Sequence, residues 1–391
     1  GSTGGASWSN NAGWLVAADH CTWHGVYCGG QRVTDLSLGY NELSGEIPVE
    51  LSNLNALNFL QLWGNQLSGS IPPELGTLSA LQYLSIGSNQ LSGGIPAELG
   101  GLAFLETLYL FDSNLTGAIP PELGELSNLK YLALNSNDLS GPIPTELSRL
   151  ENLLELSLRS NNLTGEIPVE LAALTKLQSL SLRDNQLSGD IPKELSELTN
   201  LTLLWLFGNK LTGPIPTEFT QLEFMESLRL HNNDLSGVIS EELGNYIASR
   251  TEFDISNNNF QCPYPRALEK YFEEAGDLCA LASPSNVTIT RYDYDEDSIT
   301  LYVSATSGAS AIKTYDAVCS DGSSFTSVSS TSNVIVLDGL VEGQAYTCSV
   351  TASNDAGVSD PSLATDPIVP EGLPRPLPMW LIKAAMDKAD R

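Results

Sequence analysis

Apolar residues recur along most of this chain in one fixed arrangement, clearest in the segment Leu57 to Leu78, LNFLQLWGNQLSGSIPPELGTL. Sliding it by 24 residues lays it over copies that begin at Leu81, Leu105, Leu129, Leu153, Leu177, Leu201 and Met225. A leading copy starts at Val33, and a degenerate last one carries Phe253, Ile255, Asn258 and Phe260 with one inserted residue. About ten repeats therefore fill residues 33–261. A short fixed period predicts a solenoid, because one coil cannot bury its apolar side alone and gains stability only by stacking on neighbours.

Within the unit, Leu60 and Leu62 alternate with outward positions at period two, which predicts a short strand whose leucines enter the core. Asn65 recurs as Asn41, Asn89, Asn137, Asn161, Asn185, Asn209, Asn233 and Asn258, where the chain turns inside the stack. A side-chain amide there can satisfy buried backbone groups of adjoining coils. Ser113 takes that slot in one repeat and predicts a local weak point. Then follows a Leu-Ser/Thr-Gly-x-Ile-Pro step. Gly69 allows a backbone geometry closed to other residues, and Pro72 opens a short helical turn that returns through Leu75 and Leu78.

The pattern LxxLxLxxNxLSGxIPxELxxL resembles the plant-type leucine-rich repeat, known from plant receptor ectodomains and from secreted proteins of bacteria and algae. Trp14 to Cys28, ending CTWHGVYC, resembles that family's amino-terminal cap, and Arg32-Val33-Thr34 its entry strand. The resemblance implies an α/β solenoid, a right-handed superhelix with a cap at 1–32 and another at 262–283. It also implies that the strands line a concave face whose outward positions carry the variable, function-bearing side chains. The apolar helix usual before the stretch resembling SWSNNAGW has no counterpart after Gly1, which leaves either an exposed first core layer or a truncated chain.

Read in columns, those outward positions are uneven. Phe59, Trp63, Tyr83, Tyr109, Phe111 and Tyr131 form an aromatic field over the earlier coils. Arg159 and Arg183 follow, then a second apolar cluster of Leu203, Trp205 and Phe207, bordered by Arg229 and His231. Exposed aromatics beside arginine suit a binding surface for protein or glycan. The plainer reading is that such side chains simply pack across neighbouring strands. A second ladder, Glu50, Glu74, Glu98, Glu122, Glu146, Glu170, Glu194, Glu218 and Glu242, invites a cation site, but a carboxylate at the start of each helical turn is explained by the helix dipole.

Charge and cysteines narrow the setting. Against 47 acidic residues stand 18 basic ones, a net charge of -29, which repels nucleic acid and anionic membranes and fits a saline medium. No apolar run is long enough to span a bilayer. Six cysteines fall in three local couples, Cys21 with Cys28, Cys262 with Cys279 and Cys319 with Cys348, which reads as disulfides in an oxidising compartment, secreted or cell-surface. A zinc site at His20, Cys21, His24 and Cys28 is the alternative for the first couple, though its spacings follow no usual zinc pattern. No metal and no cofactor are expected.

After Cys279 the leucines give way to Ser, Thr, Val and Asp in short alternating runs, predicting an all-β sandwich over 284–366. GLVEGQAYTCSVTASNDAGVSDPS from Gly339 resembles a bacterial fibronectin type III domain, a class of spacers and adhesive modules. Asp293, Asp295 and Asp297 spell the start of a calcium loop, but Ser298 and Ser304 stand where that loop needs Gly and Glu. Residues 367–391 form a Pro-rich linker and a short apolar segment, Met379 to Ala389, expected to dock on its own domains or on another molecule.

Three histidines, two of them in the cap, and no hydrolase, metalloprotease, phosphate-loop or dinucleotide motif argue against an enzyme. The leading expectation is an extracellular recognition or adhesion protein that binds protein or polysaccharide on the concave face. The rival is a structural subunit that self-associates into fibres or a surface layer through the sandwich and tail. Ice binding fits less well, since the outward columns are not flat threonine arrays. Sequons at Asn114, Asn162, Asn200 and Asn286 matter only in a eukaryotic source.

Overall fold

The computed structural model describes residues 8–14, 19–261, 264–268, 271, 284–295, 297–306, 311–354 and 357–370. It divides into two compact units, Gly1–Gln261 and Cys262–Arg391. The expected Cys262 and Cys279 couple and the tail segment Met379 to Ala389 lie outside the described residues.

In the first unit every repeat contributes one short strand to an 11-stranded sheet that runs from Val26–Gly29 to Glu252–Asp254. The cap strand Val26–Gly29 pairs antiparallel with Arg32–Ser37, and from there on the strands are parallel. Register advances by one whole repeat per strand: Leu60 lies opposite Leu84, and Leu84 opposite Leu108. Leu60, Leu84, Leu108, Leu132, Leu156, Leu180 and Leu204 are fully buried, as the alternation predicts.

The sequence reading missed a second sheet. The Leu-Ser/Thr-Gly step is itself extended and forms eight parallel strands from Ser44–Glu46 to Lys210–Thr212. Its strands slip by two residues per coil, so Ser68 lies opposite Gln90 rather than Ser92. Three residues ending in Gly carry too little alternation to announce a strand. Gly69 adopts φ +76°, and its equivalents Gly93, Gly117, Gly141, Gly165 and Gly189 lie between +78° and +80°.

Eight successive coils return through a five-residue 3-10 turn, such as Pro73–Thr77, entered from Pro72 at φ -65°. These turns are tighter than the α-helices an α/β solenoid implies, because only five residues span the return. One α-helix, Glu241–Ala248, occurs in the last full coil, where the Ser240 hydroxyl accepts a bond from Leu243 N–H at 3.2 Å. The glutamates of the acidic ladder stand in the first turn of these elements. Where the repeat reads Glu-Leu-Gly, coils approach closely: a Cβ on Gly76, Gly100 or Gly124 would sit 2.1, 2.4 or 2.3 Å from the carbonyl oxygen of the next coil's glutamate.

The asparagine ladder joins the coils. Asn89 Oδ1 accepts from Leu67 N–H at 2.9 Å, while its amide donates to Leu62 O at 3.1 Å and Ile86 O at 2.9 Å. Asn137, Asn161, Asn185 and Asn233 repeat the arrangement. Ser113 breaks it: its hydroxyl finds no partner and does not reach Leu91 N–H. At the amino-terminal end, Leu36, Leu38, Leu43 and Ile47 are buried, with Trp8 and Trp14 lining a residual cavity of about 110 Å³.

The second unit holds a three-stranded sheet, ordered Ser285–Tyr294, Ser298–Thr306, Val334–Asp338. Its four-stranded partner is ordered Phe325–Ser330, Thr314–Ser320, Thr347–Asn354, Gly357–Val358. All pairings are antiparallel. Ile299, Leu301, Ala317, Cys319, Ile335, Leu337, Cys348 and Ala352 are buried between them in one core.

Candidate functional site

Parallel, in-register strands place equivalent positions of successive coils side by side, so each outward column becomes a row across the sheet. One row runs Phe59, Tyr83, Thr107, Tyr131, Glu155, Ser179, Leu203, Ser227 and Glu252. Two residues on, Gln61, Ser85, Tyr109, Ala133, Ser157, Ser181, Trp205, Arg229 and Asp254 form the next. All thirteen residues singled out from the sequence are half-buried, none fully exposed. Their side chains therefore pack on one another as well as facing solvent.

Five of the six rings of the first field touch one another, while Tyr131, separated from Tyr83 by Thr107, makes no ring contact among the described residues. Phe59 and Tyr83 stack with centroids 4.3 Å apart and planes 11° from parallel. Tyr83 meets Tyr109 edge-on at 6.0 Å, and Tyr109 meets Phe111 at 6.0 Å. Gly87 stands between Trp63 and Phe111, and the missing side chain lets those rings meet at 6.5 Å. Tyr40, which the sequence reading passed over, packs edge-on against Trp63 at 4.4 Å. Burial, then Glu155, push the Tyr109 hydroxyl up to about 12, so it stays a hydrogen-bond donor at neutral pH.

The second field is a polar-aromatic cluster. Trp205 Nε1–H donates to Ser227 Oγ at 2.8 Å, and the Ser227 hydroxyl donates to Glu252 Oε2 at 2.8 Å. Arg229 pairs with Glu252 and lies 5.3 Å from the Trp205 ring centroid. The Ser227 hydroxyl and Arg229 hold the Glu252 carboxyl below its usual range. Arg183 pairs with Asp184 and lies 5.2 Å from the Phe207 centroid, while His231 stacks on the same ring at 4.3 Å. Burial lowers the His231 pKa against the opposing pull of Asp254, whose Oδ2 lies 3.1 Å from Nδ1 without the alignment of a hydrogen bond.

Two of the three arginines thus already have carboxylate partners, which makes them partly structural. Arg159 differs, since among the described residues its guanidinium pairs with none. Burial, then neighbouring Arg183, lower its pKa against the opposing pull of Asp184 and Asp112. Glu252 and Asp254, both part of this surface, were missed because the inserted residue before the last repeat takes them out of the 24-residue frame.

At the cap, Cys21 and Cys28 are joined as a disulfide, and so are Cys319 and Cys348. Among the described residues, His20, Cys21 and Cys28 form the one group of three ligand-type side chains close enough for a metal, and both sulfurs are committed to each other.

Comparison with known proteins agrees with this architecture. The leucine-rich-repeat model matches residues 32–54, 56–78, 80–102, 104–126, 128–150, 152–174 and 224–246, and a two-copy form of it matches 175–219. A plant ice-binding protein is 31% identical with a TM-score of 0.59, and the match covers 68% of this chain and 86% of that one. The chain belongs to the leucine-rich-repeat family, with repeats of the plant type.

The plant peptide hormone receptor RGFR1, in complex with RGF2, is 37% identical with a TM-score of 0.58, covering 60% of this chain and 37% of that one. The ectodomain of the Arabidopsis receptor kinase HAESA, in complex with an extended IDA peptide hormone, is 30% identical with a TM-score of 0.57, covering 64% and 46%. The chain spans about two fifths of the length of the receptors it matches. No curated protein matches it by sequence.

Proposed function

We propose that this is an extracellular, non-catalytic recognition protein that binds an extended peptide or protein segment on the concave face of its solenoid. The observation that carries the reading is Arg159, a half-buried guanidinium with no ion-pair partner among the described residues, two residues beyond the strand Glu155–Ser157 and between the two aromatic fields. Desolvating a cation without a partner costs stability, and a ligand that supplies the partner recovers it. The receptors it resembles were solved with peptide hormones, which favours a peptide over a glycan. Disulfides at the cap and in the second unit suit an extracellular setting.

For the second unit we propose a fibronectin type III-like sandwich that acts as spacer or adhesive module. Its three-plus-four strand order supports this, as does Tyr346, whose hydroxyl accepts from Val341 N–H at 3.1 Å two residues before Cys348, in the manner of a tyrosine corner. The disulfide joins directly paired strands of one sheet, unlike the inter-sheet bridge of antibody domains.

The test is a selection of peptides from a random library on the intact chain, beside a glycan array. Binders lost on Trp63→Ala and on Trp205→Ala support the reading. Binders retained by both variants sink it.

A further inference from the structure

Of the two cross-sheet rows, the first does not begin at Phe59. Tyr27 of the cap strand is the register partner of Asp35, and Asp35 that of Phe59, so the row starts Tyr27, Asp35, Phe59, Tyr83. A short carboxylate therefore sits between two rings. Strands lie about 4.8 Å apart, which puts the two aromatic positions roughly 9.5 Å apart. That leaves room for one planar or compact group in contact with both, at about 3.5–4.0 Å to each. An open slot of about 420 Å³ occupies this place, lined by Tyr27, Asp35, Ser37 and Phe59.

The far face of Phe59 is taken by its stack with Tyr83, so the slot is walled by the face that remains. Tyr27 is 59% exposed, and the Cys21–Cys28 disulfide beside it holds its strand. Asp35 Oδ2 accepts from Thr34 Oγ1 at 2.7 Å, and among the described residues no cation pairs with the carboxylate. Aromatic walls over an anionic floor attract a cation through ring quadrupole and charge together, and they offer little to an acidic or neutral group.

Resting on the reading that the concave face binds a peptide, we infer that its partner is basic and inserts one arginine or lysine side chain between Tyr27 and Phe59, onto Asp35. The overall charge of -29 points the same way, since it speeds encounter with a cationic partner and slows that with an acidic one. The cap is then part of the binding surface, as the first subsite of the concave face.

The inference is tested by NMR on the intact chain, without any knowledge of the natural ligand. Backbone amides are followed while acetyl-Gly-Ser-Gly-Arg-Gly-Ser-Gly amide is added, and then its norleucine and glutamate counterparts. The arginine peptide is expected to shift Tyr27, Asp35 and Phe59 saturably, with at least tenfold weaker binding to Asp35→Asn and to Tyr27→Ala. The charge-matched control Asp138→Asn on the second sheet is expected to change it less than twofold. Equal response to norleucine, or an unchanged response in Asp35→Asn, overturns the inference. If that happens while Trp63→Ala and Trp205→Ala still abolish binding of selected peptides, the concave-face reading stands and only its basic partner falls.

Discussion

Trp205 and Ser227 occupy neighbouring coils, and the indole Nε1–H of the first donates to the hydroxyl of the second at 2.8 Å. Ser227 is buried and passes the bond on to Glu252. Replacing Ser227 by Ala strands the indole N–H and removes a donor from Glu252, a loss expected at about 1–3 kcal/mol. Urea unfolding of Ser227→Ala checks this; an unchanged midpoint argues that the cluster is not a cooperative unit.

Ser113 is where the asparagine ladder fails. Ser113→Asn supplies an acceptor for Leu91 N–H and donors for the carbonyls of the preceding coil and its own turn, as at Asn89. Stability is expected to rise by about 1–2 kcal/mol with an unchanged denaturant slope. A fall in midpoint contradicts the geometry given to this turn.

Close approach of coils at Gly100 makes a third prediction. Its Cβ would lie 2.4 Å from Glu122 O, whereas one on Gly94 would lie 3.7 Å from Thr116 O. Gly100→Ala is expected to cost about 1–3 kcal/mol through forced separation of backbones, and Gly94→Ala less than about 0.5. Comparable thermal midpoints for the two variants contradict the packing described.

His231 predicts a pH dependence. Its folded pKa lies below the unfolded value, so protonation is easier in the unfolded chain. The contribution is nil well above about pH 6.5, becomes a loss of stability as pH falls from there, and levels off beneath the folded pKa. Asp254 limits its size. Imidazole resonances titrating below a free histidine support this, and His231→Asn flattens stability between about pH 5 and 7 relative to the parent.

The repeat, the ladder and the outward columns were legible because a 24-residue period repeats each of them many times. What escaped lies where the period breaks or carries little signal. Tyr27 belongs to an antiparallel cap strand that no sliding window aligns with the repeat, and although Asp35 stands in the frame one period before Phe59, its place between two rings shows only once that cap strand is paired. Glu252 and Asp254 follow an inserted residue. The second sheet rests on coil stacking, which Gln66-Leu67-Ser68-Gly69 read alone does not declare. Pairing of Arg183 and Arg229 with carboxylates was also invisible, because Asp184 is a neighbour in sequence that reads as turn and Glu252 lies a coil away.

Affinity of a library-selected peptide for the intact chain and for three single variants tests the central claim most directly. Trp63→Ala and Trp205→Ala are each expected to weaken binding at least tenfold, as central aromatic contacts do. Phe104→Ala removes an apolar side chain that is 60% exposed outside both concave rows and is expected to change affinity less than twofold. Loss on Phe104→Ala with full affinity in both tryptophan variants contradicts recognition through the concave face.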